Sequence, residues 1–109
     1  GMDQAARERL VREAQAQAAL AAARGDAPFG AVLADGSGVV LLRAANGQVT
    51  ATDPTAHAEI VLIRAAAREL GLDGLDGLAV ATNADPKRTF LHLVMNNMDL
   101  SRNHWWFGV

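Results

Sequence analysis

Residues 53–60 read Asp-Pro-Thr-Ala-His-Ala-Glu-Ile, and this octapeptide constrains the fold more than any other stretch of the chain. Asp or Thr suits a helix N-cap, and proline is tolerated in the first helical turn. Apolar residues at helical spacing follow as far as Leu70, and Gly71 is a typical helix stop. The octapeptide therefore predicts that a helix starts near residues 53–55, with His57 and Glu59 close to its N-terminus.

The position of this pair decides what it can do. On a regular helix, residues two apart point about 200° away from each other, so they converge only where first-turn side chains reach over the helix end. The positive end of the helix dipole disfavours a protonated imidazole and favours a carboxylate. A neutral imidazole can bind a metal, and a carboxylate can carry protons. An isolated pair of this kind is more often a half-buried helix-start histidine and a solvated glutamate.

The N-terminal half predicts a helix followed by a β-hairpin. Residues from about 3 to 24 are rich in strong helix formers, and Gly25-Asp26 ends the segment. Phe29 to Ala34 is an apolar run typical of a buried strand, and residues 35–38 form a turn before a second strand at 39–43. Residues 44–52 have no clear period and are predicted to form a loop. The thin apolar stripe of the first helix comprises Leu10, Ala14, Ala18 and Ala21.

The C-terminal half predicts further strands. Residues 78–82 favour a third strand, 88–100 favour a helix that Asn96-Asn97 weakens, and 104–107 favour a fourth strand. The order predicts an α/β fold in which an initial hairpin is followed by parallel strands, with helices on both faces of the sheet.

Composition narrows the class of protein. The 109 residues fit one domain, and half of them are apolar, which is enough for a core. The net charge of −2 argues against nucleic acid as a partner. The chain has no cysteine, so it has no disulfide and no thiolate metal site. It shows neither a signal peptide nor the roughly 18 apolar residues of a membrane span, so we expect a cytoplasmic protein with no membrane partner.

Several segments together resemble the cytidine and deoxycytidylate deaminase superfamily, in particular its guanine deaminase and tRNA adenosine deaminase branch. They are Ala-Pro-Phe-Gly-Ala-Val at 27–32, Asn46, the octapeptide at 53–60, and Pro86 after a predicted strand. The resemblance covers roughly residues 3–86. It implies one cytidine-deaminase-like domain over residues 1–109, a three-layer sandwich with a mixed sheet of about four strands. We expect this domain to be truncated, with residues 87–109 an atypical tail.

The resemblance also implies roles for individual residues. His57 is similar to the zinc-ligating histidine of the family, and Glu59 to its catalytic acid/base in hydrolytic deamination. Asn46 is similar to the asparagine that hydrogen-bonds the substrate, and Phe29 and the backbone of Ala58 to parts of the pocket wall. The implied substrate is a purine or pyrimidine base or nucleoside, and the implied assembly a homodimer. Without the resemblance, Asn46 would be taken for a turn former and Phe29 for a core residue.

The chain departs from the family at its second zinc-binding segment. The family signature continues with Pro-Cys-x-x-Cys, whereas Lys87 and Phe90 follow Pro86 here. Neither side chain replaces a thiolate ligand. No sequence motif supports a metal site rebuilt with His92, His104 or Asp85. We assign both histidines to packing or to the surface. We therefore expect zinc binding to be weak or absent.

Three hypotheses follow from this departure. The first is a member of the zinc-dependent deaminase family that is impaired or inactive as this chain. The second is a non-catalytic protein that keeps the fold for ligand binding or assembly. The third is a frameshifted or truncated product without selected function, since the composition changes near Pro86: alanine nearly vanishes, and paired Asn and Trp residues occur.

Overall fold

The computed structural model describes residues 3–74 and 92–97 of the chain. The elements in these ranges are α1 (Gln4–Ala23), β1 (Phe29–Ala34), β2 (Val40–Ala45), α2 (Ala58–Gly74) and β3 (His92–Asn97). The strands predicted at 78–82 and 104–107 lie outside the described residues. Within the described residues, no helix is long and apolar enough to cross a membrane.

Helix α1 forms as the sequence predicts. The Asp3 carboxylate accepts a hydrogen bond of 2.8 Å from the Ala6 amide and caps the first turn. Gly25 follows the C-terminus with a φ of 87°, a conformation that glycine adopts at little cost. The apolar stripe is buried against the sheet as predicted, with Ala6 added at its start. Its members are Ala6, Leu10, Ala14, Ala18 and Ala21.

Strands β1 and β2 form the predicted hairpin. They pair antiparallel from Gly30 opposite Ala45 to Ala34 opposite Val40, with an irregularity between Leu33 and Ala34. The Asp35 carboxylate closes the turn by accepting hydrogen bonds from the amides of Ser37 and Val39. Strand β1 has the predicted bounds, whereas β2 runs two residues further than predicted, to Ala45.

The helix predicted over residues 88–100 is wrong, because His92–Asn97 is a strand. Strand β3 pairs antiparallel with β1, from Phe29 opposite Asn97 to Ala34 opposite His92. The apolar spacing within this segment suits a short buried strand as well as a helix, and periodicity cannot separate the two. Pairing with the second edge of β1 decides the outcome. Because β1 is buried, the backbone amides and carbonyls on that edge need hydrogen-bond partners, and a neighbouring strand supplies them.

The expected parallel pairing is also not found among the described strands. The sheet order is β2-β1-β3, and β1 is antiparallel to both neighbours. Strands β2 and β3 therefore run in the same direction, which fits the long connection through α2, but β1 lies between them and they are not hydrogen-bonded. A fourth strand cannot be assigned to the described residues.

The two helices cover opposite faces of the sheet, as the α/β prediction requires. Alternate residues of β1 divide between them: Ala31 and Leu33 join a core cluster with α2, and Val32 and Ala34 join one with α1. On the α1 face, a Cβ built on Gly30 would lie only 2.3 Å from the Ala14 carbonyl oxygen. The backbones of α1 and β1 therefore approach closely at a point where only glycine fits.

Candidate functional site

The end of the sheet where β1 starts and β2 finishes carries the predicted site residues. Phe29 is the first residue of β1, and Asn46 directly follows β2. The backbone N–H of Asn46 donates a 3.0 Å hydrogen bond to the Phe29 carbonyl. The chain then runs through a loop, residues 46–57, to the first turn of α2. Hydrogen bonds within this loop, including those from Gly47 to Ala56 and from Asp53 to Gln48, hold its shape.

Helix α2 begins at Ala58 rather than near residues 53–55. Asp53 instead closes a turn before the helix: its carboxylate accepts hydrogen bonds of 2.9 and 2.7 Å from the amide and hydroxyl of Thr55. These bonds, with Arg64 at 3.6 Å, hold the pKa of Asp53 below its usual range. The octapeptide thus contains both a turn and the helix start, so the predicted start is several residues too early.

His57 is the N-cap of α2, and Glu59 lies in its first turn. The His57 carbonyl accepts a 2.9 Å hydrogen bond from the Val61 amide, the first bond of the helix. The His57 side chain is exposed and that of Glu59 half-buried. Among the described residues, the Glu59 carboxylate has no hydrogen-bond or ion-pair partner. Both residues therefore lie at the helix end, where the sequence argument requires them.

Asn46 is fully buried, and both polar atoms of its side-chain amide are hydrogen-bonded to Gln48. Its Oδ1 accepts a 3.0 Å hydrogen bond from the Gln48 backbone amide, and its Nδ2 donates a 2.7 Å bond to Gln48 Oε1. Gln48 Nε2 in turn donates to the Pro54 carbonyl at 2.9 Å and lies 3.5 Å from His57 Nε2. One continuous chain of amides thus connects Asn46 to His57.

The 46–57 loop is also fastened to the end of α1. The buried Asp26 carboxylate accepts hydrogen bonds of 2.9 Å from the amides of Val49 and Thr50 and one of 2.8 Å from the Thr50 hydroxyl. Arg24 pairs with Asp26 at 3.2 Å and donates a 2.7 Å bond to the Asn46 carbonyl. Burial by itself would raise the pKa of Asp26, but the bonds from Thr50 and Val49 and the charge of Arg24 outweigh it and hold that pKa below its usual range.

The two predicted pocket-wall residues differ in placement. Phe29 is 36% exposed, and the alternation along β1 places it on the same side as Ala31 and Leu33, the side that α2 covers. Ala58 is fully buried, and its side chain packs in the core between α2 and the sheet. Gln48, Arg24 and Asp26 are not among the site residues that the sequence predicts. Only Asn46 carried a local signal, since asparagine commonly bonds the amide two residues on.

The donors in the described part of the chain do not fit the zinc ion that the family resemblance implies. Across residues 3–74 and 92–97, no group of three or more His, Cys, Asp or Glu side chains could hold a metal ion. Zinc sites use three or four protein ligands, commonly including thiolates. The His57 ring has the Gln48 amide as a side-chain neighbour, and an amide is not a zinc donor of this kind.

The backbone register separates His92 from the site. His92 pairs with Ala34 at the far end of β1, whereas Phe29 at the near end pairs with Asn97. At the rise of an extended strand, the two ends of β1 are about 16 Å apart. His92 therefore begins its strand at the opposite end of the sheet from His57.

Comparison with known proteins agrees with this fold. The family model of the cytidine and deoxycytidylate deaminase zinc-binding region matches residues 4–89. Guanine deaminase from Bacillus subtilis (strain 168) is 41% identical over 59 residues, 54% of this chain. The X-ray structure of guanine deaminase from Bacillus subtilis superposes with a TM-score of 0.53 at 37% identity over 59% of this chain. A chain from a study of A-to-I editing by tRNA:A34 deaminases gives a TM-score of 0.62 at 30% identity over 83%.

The match covers only part of these relatives. The chain spans 37% of the curated guanine deaminase, 41% of its solved structure and 58% of the chain from the tRNA:A34 deaminase study. The family match nevertheless takes in α1, the hairpin, the 46–57 loop and α2, which together build the site. With its α/β fold and the His-x-Glu pair at the start of α2, the chain belongs to the cytidine and deoxycytidylate deaminase family.

Proposed function

We propose that this chain is a nucleobase-recognising member of the family, of guanine deaminase type, in which hydrolytic deamination is impaired. The observation that carries the proposal is a half-built site. His57 and Glu59 lie at the start of α2 beside the loop that begins with Asn46, while Lys87 and Phe90 follow Pro86 where the family signature has cysteines. The guanine deaminase similarity supports a purine base as the ligand.

The roles in this site follow from chemistry. In a complete family site, zinc lowers the pKa of a bound water, and a non-ligating glutamate moves its proton. Glu59 suits proton transfer, since it is half-buried, lies at the positive end of a helix and is not engaged by another described residue. His57 would be the histidine ligand, and Asn46, Phe29 and the backbone of Ala58 would form the substrate pocket. A homodimer stays a prediction.

The direct test compares metal content, binding and turnover in one preparation. Protein purified without chelator is assayed for zinc by elemental analysis, for binding of guanine, adenosine and cytidine by calorimetry, and for ammonia release. We expect well under one zinc per chain, binding of a purine base and no ammonia. Stoichiometric, tightly held zinc or rapid ammonia release would overturn the impaired state. Absence of binding to all three ligands would overturn base recognition and favour a scaffold.

A restoration experiment isolates the missing donors. The double variant Lys87→Cys/Phe90→Cys recreates Pro-Cys-x-x-Cys after Pro86, and we expect it to raise the zinc content towards one per chain because three donors suffice for a catalytic site. The matched control adds His57→Ala and should lose the gained zinc. Sequencing the coding DNA past Pro86 in the other two frames tests the frameshift hypothesis, which a Pro-Cys-x-x-Cys stretch there would favour.

A further inference from the structure

We propose that Gln48 is a positioning residue of this site, which fixes the orientation of the Asn46 amide and holds His57 in the tautomer that carries its proton on Nδ1. The inference concerns the residues of the proposed function and rests on it for the importance of His57. The hydrogen bonds that carry it stand independently of any ligand.

The Gln48 backbone amide fixes the direction of the first hydrogen bond. A backbone amide can only donate, so the atom of Asn46 that faces the Gln48 backbone amide at 3.0 Å must be the acceptor Oδ1. The other atom of the Asn46 amide is then the donor Nδ2. It lies 2.7 Å from Gln48, and the atom it faces must be the acceptor Oε1.

The same logic fixes the far side of the Gln48 amide. With Oε1 assigned, the remaining atom is Nε2, which carries two hydrogens and no lone pair. One hydrogen is donated to the Pro54 carbonyl at 2.9 Å, and a carbonyl oxygen can only accept, so this contact agrees with the assignment. The second hydrogen is left for the neighbouring ring nitrogen, His57 Nε2, at 3.5 Å.

For the 3.5 Å contact to be a hydrogen bond, the ring nitrogen that faces this donor has to offer a lone pair. In a neutral imidazole one nitrogen is a donor and the other an acceptor, and the partner of one nitrogen sets the state of the other. With Nε2 as acceptor, the proton of His57 lies on Nδ1. Because the Asn46 end of the chain is fully buried, the amides cannot turn over without losing hydrogen bonds inside the core.

This arrangement disfavours metal binding by His57, so zinc in the restored variant would have to displace the Gln48 amide from the ring. Ligation through Nδ1 would require the proton on Nε2, where it would face the Gln48 donor. Ligation through Nε2 would require Gln48 to leave. In metal sites the second nitrogen of a ligating histidine instead donates to an acceptor such as a carboxylate or carbonyl. Gln48 Nε2 is a donor, so it cannot accept that hydrogen bond.

The test reads the tautomer of His57 directly by long-range ¹H–¹⁵N NMR on the apo protein. The spectra are recorded in a pH range over which the ring signals no longer change with pH. In the parent we expect the Nδ1–H tautomer to predominate. In Gln48→Ala the preference should be lost. In Gln48→Glu the nearly isosteric carboxylate can only accept, so the ring should change to Nε2–H.

The matched control is Gln4→Glu, the same change of side chain on the exposed start of α1, which should leave the His57 signals unchanged. Far-UV circular dichroism confirms that each variant is folded. A parent in the Nε2–H form would overturn the proposal without any variant, and so would an Nδ1–H form retained in both Gln48 variants. Neither readout depends on base binding or zinc, so failure here is distinct from failure of the proposed function.

Discussion

Replacing Gly30 by alanine tests the close approach of α1 to the sheet. A Cβ at this position would lie 2.3 Å from the Ala14 carbonyl oxygen, 2.4 Å from the Ala18 amide nitrogen and 2.6 Å from Gln17 Cβ. Ordinary contacts begin near 3.4 Å, so α1 must move away from β1 by at least about 1 Å. Two of the three atoms are helix backbone, and no rotamer change relieves the clash.

The expected cost follows from this geometry. Overpacking of a core by one group usually costs about 1–3 kcal/mol, and a clash with backbone belongs at the upper end of that range. We expect Gly30→Ala to lower the free energy of unfolding by about 3 kcal/mol, a large share of the total for a domain of this size. For a chain of about 100 residues that corresponds to a drop in Tm of about 12 °C or more. Urea and thermal unfolding followed by far-UV circular dichroism measure both quantities.

Gly47→Ala is the matched control. Its added Cβ would meet Thr50 Oγ1 at 3.8 Å and Ala56 Cβ at 3.9 Å, which are ordinary contacts, and Gly47 does not have a positive φ. The same chemical change should therefore leave stability unchanged or raise it slightly by restricting the unfolded chain. If Gly30→Ala unfolds within about 0.5 kcal/mol of the parent, or if Gly47→Ala loses as much as Gly30→Ala, the packing argument is refuted.

Three further predictions concern the core, the loop anchor and the surface. Leu62→Ala should lower the free energy of unfolding by about 2–5 kcal/mol in urea denaturation, because Leu62 is fully buried in a cluster lined largely by alanines. The pKa of Asp26 is lowered by folding, so its ionised form stabilises the fold above the unfolded-state pKa of about 3.9 and loses that effect as the pH falls through the folded-state value. Asp26→Asn should thus be less stable at neutral pH and lose less stability on acidification, and equal acid unfolding profiles for variant and parent would contradict this. Arg43→Gln breaks the 2.7 Å pair with Glu13, but both side chains are over a third exposed, so thermal unfolding should reveal a loss below about 1 kcal/mol.

The elements carrying a strong local signal could be predicted from sequence. The stripe from Leu10 to Ala21 and the stop at Gly25 define α1 almost to the residue. The apolar run at 29–34 defines β1, and Gly71, with a φ of 70°, interrupts the regular geometry of α2 where a helix stop is expected. In each case the residue type acts through its own backbone preference or its own periodicity, so no distant partner is needed.

The predictions that fail lie where a distant partner, or a choice between two local caps, decides the structure. Residues 92–97 carry an apolar pattern that suits either element, and only the open edge of β1 makes them a strand. The start of α2 was placed too early because Asp53 caps a turn and His57 caps the helix, and both are compatible with the same local sequence. Gln48 and Asp26 were missed since their partners lie on other segments or depend on how the loop folds.

The fastening of the 46–57 loop to the end of α1 has a consequence for dissecting the protein. A shortened version beginning at β1 would lack Arg24 and Asp26. These two side chains hydrogen-bond the loop at the Asn46 carbonyl and at the amides of residues 49 and 50. The fragment would still contain the candidate site residues Phe29, Asn46, His57, Ala58 and Glu59. The segment between α1 and β1 is thus not a dispensable connection. A minimal fragment intended for grafting or ligand screening has to begin upstream of Arg24, even though none of the candidate reactive groups is found in that segment.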